Sequence, residues 1–144
     1  MNIYIASKTK HAPKWISLRE DLSKNGIYVI SSWIDEHIPG QTKNWTDLWS
    51  RIISEIKESK FLLFYAEEEE IQKGSLVEVG IALAFGVPIY WIGPETSSIP
   101  KTNFVKKFND MHDAVQELIS YREVEKLLDE TAKNLYPLCN GVRF

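Results

Sequence analysis

Residues 61–92 read FLLFYAEEEEIQKGSLVEVGIALAFGVPIYWI. Phe61 to Tyr65 is a short apolar run bounded by the acidic loop Glu67 to Glu70, the signature of a buried strand. Gly74-Ser75 then opens a strongly apolar segment, Leu76 to Phe85, long enough for a helix and stopped by Gly86. Val87 to Ile92 is apolar again and predicts a second strand. A strand, a helix and another strand in direct succession are the unit from which parallel sheets are built.

The same alternation extends toward the start of the chain. Asn2 to Ala6 (NIYIA) predicts a first strand, and Ser7 to His11 a loop. A helix follows with Pro13 in its first turn and Trp15, Leu18 and Leu22 on one face, until Asn25-Gly26 stops it. Ile27 to Ser31 predicts another strand, and Ser32 to Lys43 a polar loop. Asn44 is placed to cap a helix whose apolar stripe runs Leu48, Trp49, Ile52, Ile53, Ile56. Beyond Gly93-Pro94 the pattern predicts a short strand near Phe104 to Phe108, then helices over 111–120 and 122–135.

Strands that read as continuous apolar runs, without polar alternation, belong to parallel sheets covered on both faces. The fold class expected is therefore α/β: one domain over residues 1–144, a flavodoxin-like or Rossmann-like sandwich around a four- to five-stranded parallel sheet. Its 144 residues, 44% hydrophobic and 26% charged, suit one globular core. A net charge of −3 argues against polymeric nucleic acid as a partner. No long apolar run suggests a membrane partner or a signal segment, so a cytoplasmic location is expected. Cys139 is the single cysteine and the three histidines are scattered, so neither a disulfide framework nor a metal site is expected.

In open parallel sheets, ligands bind outside the carboxyl ends of the strands where strand order reverses. The loops at that edge begin at Ser7, Ser32, Glu67 and Gly93. Glu78 stands out beside them as the one acid in GSLVEVGIALAFG, and a lone carboxyl in an apolar helix needs a reason. Two are open. Ser75 and Glu78 fit a capping box, in which the acid bonds back to the helix start. Alternatively Glu78, in the first turn of its helix and favoured as an anion by the dipole, is a nucleophile for a sugar carbon.

Taken together, IYIAS at 3–7, FLLFY at 61–65 and GSLVEVGIALAFGVPIYWI at 74–92 resemble the nucleoside 2-deoxyribosyltransferases and the related deoxynucleoside monophosphate N-glycosidases. The resemblance covers about residues 2 to 93. It implies cleavage or transfer at the N-glycosidic bond of a nucleoside or nucleoside monophosphate, with Glu78 attacking C1′. It also implies that Ser7 and Lys8 lie where sugar or phosphate binds, next to Gly74 and Ser75, and that the protein is a homo-oligomer, with the tail Leu138 to Phe144 available for docking. Two departures stand out. The acid that the family carries late in the second helix is replaced near Ile52, and the acid before the Gly-Ser pair is replaced near Gln72. Asp47, or an acid of the Glu67 to Glu70 loop, is then the substitute that protonates the leaving base, with Arg51 one turn along the same face as Asp47 and Glu67 at the strand end as further binding residues.

Trp33, beside Asp35, is either core or a stacking plate for a base, and Trp45 falls outside the buried stripe and can line a cleft. The ligand expected is a small nucleoside or nucleotide, with no cofactor. A second reading keeps Glu78 and changes the substrate, because residues 59–80 are also generically similar to Toll/interleukin-receptor-like domains that cleave the nicotinamide–ribose bond of NAD. A third has no catalysis, only a module that senses or sequesters a nucleotide.

Overall fold

The computed structural model describes residues 1–139. Five strands form one all-parallel sheet: β1 (Asn2–Ala6), β2 (Tyr28–Val29), β3 (Phe61–Tyr65), β4 (Ile89–Ile92) and β5 (Val105–Phe108). Their order across the sheet is β2-β1-β3-β4-β5. The chain moves outward from β1 to β2, then returns past β1 to place β3 on its other side. The order therefore reverses between β1 and β3, the position at which a flavodoxin-like sheet opens a crevice. The expected α/β class holds.

Four α-helices cover the sheet: α1 (Ala12–Ser23), α2 (Trp45–Lys57), α3 (Gly74–Phe85) and α4 (Met111–Cys139). α2 and α3 pack against each other on one face. Asn44 caps α2 as its position predicts, its side chain accepting the Asp47 amide at 3.0 Å. The core is dominated by β1, β3 and β4, all but one of whose side chains between Ile3 and Ala6, Phe61 and Tyr65, and Ile89 and Ile92 are buried. Phe64 and Trp91 stack at 3.8 Å between ring centroids.

Two elements differ from the sequence expectation. The second strand is shorter than Ile27 to Ser31, because Ser31 turns its hydroxyl inward to accept the Ile5 amide at 2.6 Å. The ladder ends there, and Trp33 falls in a 3-10 turn, Ser32–Glu36. The two expected C-terminal helices are one continuous helix, α4, since nothing around Tyr121 breaks it. The docking expected of the tail Leu138 to Phe144 concerns side chains outside the described residues.

One glycine has no substitute. Gly93, just past β4, has φ +152, and a Cβ added there would sit 2.7 Å from the Ala66 carbonyl oxygen. Gly93→Ala must move the backbone that follows β3. It is expected to cost about 1–3 kcal/mol, lowering the thermal midpoint by several degrees in a calorimetric scan.

Candidate functional site

The crevice between β1 and β3 is a cavity of about 500 Å³. Its floor comes from the segment after β1, where Ser7, Lys8 and Thr9 line it. Ser7 is fixed there, its hydroxyl accepting Trp15 Nε1 at 2.7 Å and donating to the Lys8 carbonyl. Trp33 enters from the turn after β2, and its Nε1 donates to the Ile5 carbonyl at 2.8 Å, so the ring cannot swing away. α2 contributes Trp45, Leu48, Trp49 and Ile52, and the segment after β3 contributes Ile71, Gln72 and Lys73. Gly74, Ser75 and Glu78 of α3 complete the wall. Trp49 packs over Gly74 so closely that a Cβ there would meet the indole at 3.9 Å.

Glu78 is 7% exposed and does not cap its own helix. Its Oε1 instead accepts the hydroxyl of fully buried Tyr4 at 2.8 Å, which ties α3 to the central strand. The hydroxyl of Ser75 donates to Gln72 Oε1. The capping-box reading fails, because the acid is the fifth residue of α3, not in its first turn, and finds a partner across the core. The expected ionisation is also corrected. Burial pushes the Glu78 carboxyl up to about 8; the Tyr4 hydrogen bond pulls it down, and the charge of Glu55 pushes it up again. Desolvation outweighs the helix dipole. In the resting site the carboxyl is mostly protonated at neutral pH. Tyr4 is likewise raised, first by burial and then by Glu78. Half-buried Glu55 is raised mainly by burial while accepting the Ser32 amide at 3.2 Å.

Of the residues singled out in the sequence, the structure brings Ser7, Lys8, Trp33, Trp45, Gly74, Ser75 and Glu78 to this cavity. Asp35, Asp47, Arg51 and Glu67 stand outside its wall. Each has taken a countercharge elsewhere. Asp35 forms a fork with Arg19 at 2.9 and 3.0 Å, and Asp47 pairs with Arg51 at 3.0 Å. Arg51 also holds Glu36 at 2.8 Å, and Glu67 meets Lys14 and the Tyr65 hydroxyl, both at 3.2 Å. Asp47 is therefore corrected as the proton donor of this cavity: its carboxylate is exposed and ion-paired.

Tyr4, Lys73, Ile71, Thr9 and Glu55 were not anticipated. Tyr4 carried a readable signal: a hydroxyl inside a fully apolar strand needs a partner, just as Glu78 needs one inside its apolar helix. Two misfits in separate elements were each other's answer.

Beside the site, donor atoms of His11, Glu67 and Glu70 lie within 4.8 Å of one another, a grouping the scattered histidines did not suggest. Its charge is already balanced, since Lys10 meets Glu70 at 2.8 Å and Lys14 meets Glu67. Burial pushes the Glu70 carboxyl up, but hydrogen bonds from Lys10, the Glu67 amide and His11 hold it down at about 2. A second hollow of about 560 Å³ opens beyond β3, β4 and β5 and includes Glu67, Glu68 and Asp110. It lies away from the strand-order reversal. None of the described helices is long and apolar enough to cross a membrane.

No family model and no curated protein matches the sequence. Among solved structures, that of a Clostridium botulinum CMP N-glycosidase, BcmB, is similar, with a TM-score of 0.60 at 17% identity over 82% of this chain and 98% of that one. At that identity the likeness shows a shared fold.

Proposed function

We propose that the cavity binds a nucleoside or nucleoside 5′-monophosphate and cleaves its N-glycosidic bond, with Glu78 as the nucleophile. The observation that carries this reading is the position of Glu78: a buried carboxyl, oriented by Tyr4 and set in the wall of a ligand-sized cavity at the strand-order reversal. The CMP N-glycosidase activity named for the similar structure supports it.

The remaining lining residues suit the parts of such a ligand. Trp33, Trp45 and Trp49 offer flat apolar faces to a base. Lys8 and Lys73, beside the first amides of α3, suit a phosphate. Glu78 forms a glycosyl ester at C1′, which water then opens. Burial serves this chemistry only if the bound ligand shifts the carboxyl toward its anion. The homo-oligomer implied by the sequence resemblance belongs to the same proposal, and Val124, Leu127, Leu128 and Leu135 are exposed apolar side chains of α4 it would use.

Incubation with paired nucleosides and 5′-monophosphates, followed by chromatography of the released base, tests the assignment. Base release is expected, with the KM for the unphosphorylated partner raised about tenfold or more through loss of charge-assisted contacts. Absence of both binding and base release across the panel would refute it.

A further inference from the structure

Building on the N-glycosidic reading above, we infer that the substrate is a nucleotide whose base is already cationic at the ring bearing the sugar, such as a pyridinium or an N7-alkylpurinium 5′-monophosphate. The cavity wall offers few carboxyl protons. Among the described residues, Glu78 is the one carboxyl in its wall, and Ile52 and Gln72, which line it too, carry no acid. Neighbouring acids are committed elsewhere: Glu70 to Lys10 and His11, Asp47 and Glu36 to Arg51, and Glu55, outside the wall, to the Ser32 amide.

A neutral base departs as an anion unless an acid protonates it in the transition state. With Glu78 engaged as nucleophile, no second carboxyl of the wall fills that role. A quaternised base needs none. Glu78 attacks C1′, the C1′–N bond breaks, and its electron pair returns to the ring nitrogen and cancels the positive charge. Water then hydrolyses the glycosyl ester, yielding the sugar phosphate, the Glu78 carboxylate and one proton released to solvent.

The rest of the wall fits the same ligand. Three indole faces attract a cation more strongly than its neutral counterpart. Burial keeps resting Glu78 protonated, and a cation beside it favours the anion, so the substrate's own charge frees the nucleophile. Lys8 and Lys73 would repel a bare cationic nucleoside, which makes the compensating 5′-phosphate part of recognition. Lys8 and Lys73 are engaged by the phosphate, which leaves one nearby competitor as proton donor. His37 lines an adjoining cavity that shares Thr9, Trp33, Trp45 and Leu48 with this one.

GMP and 7-methylguanosine 5′-monophosphate are the matched probes, with CMP and nicotinamide mononucleotide beside them. Each rate of base release is divided by the spontaneous rate of the same compound. The cationic pair is expected to exceed the neutral pair by about a hundredfold or more after that division. Trp45→Leu is expected to raise KM for 7-methylguanosine 5′-monophosphate about tenfold with little change in kcat, and His37→Gln to leave both unchanged. Equal normalised rates for GMP or CMP, or loss of activity in His37→Gln, would reveal a proton donor and overturn the inference while leaving N-glycosidic cleavage standing. Base release from neither these four nor any other nucleotide would overturn both.

Discussion

Glu78→Gln is expected to reduce base release by about a thousandfold or more while making the protein more stable in mildly alkaline solution. The first effect follows from losing the atom that bonds to C1′, since an amide of the same shape cannot form the ester. The second follows from proton linkage. Folded Glu78 holds its proton up to about pH 8, against 4.5 for an unperturbed glutamate. Between those values the native state binds more protons than the unfolded chain, so wild-type stability falls as pH rises through that window. Glutamine escapes the loss. The thermal midpoints of variant and wild type are expected to lie close together at pH 5. By pH 8 the variant is expected to melt on the order of 5 °C or more above wild type, a difference that thermal scans at both pH values measure directly. A gain in stability paired with a loss of activity is the pattern of an acid kept for chemistry. A purely structural acid would lose stability on replacement.

Tyr4→Phe is the second informative change. The Tyr4 hydroxyl donates to Glu78 and lowers its proton affinity, opposing burial. Without it the carboxyl becomes still harder to ionise, so the alkaline rise of kcat/KM, expected near pH 8 in wild type, moves upward. At pH 7 the variant is expected to lose on the order of tenfold in kcat/KM, and to recover part of that as pH increases. An unchanged pH profile would leave Tyr4 with a packing role and separate it from the reaction. The variant also leaves a buried acceptor without its donor, so a stability cost of about 1–3 kcal/mol should accompany the kinetic change.

The sheet was legible because its strands are apolar runs punctuated by glycine, proline and capping residues, all local signals. Asn44 and Gly86 marked helix ends correctly for the same reason. What failed depended on partners far along the chain. Asp35 looks free in sequence until folding brings Arg19 to it; the Asp47–Arg51 pair is local, but Glu36, fifteen residues before Arg51, joins it only in the fold. The hydroxyl that shortens β2 belongs to Ser31 but answers an amide on β1. The charge state of Glu78 is set by what β1 and α2 stack around it, and a helix dipole read from sequence carries no information about that enclosure. Position 78 was therefore readable as important, and its protonation was not.

β1 precedes the other strands in the chain yet lies inside the sheet, flanked by β2 and β3, both of which come later. The hydrogen bond from Tyr4 to Glu78 joins positions 74 residues apart, so it needs α3 packed against β1. A fragment that stops before α3 holds the early side chains of the cavity but lacks Gly74, Ser75 and Glu78, so its wall is incomplete.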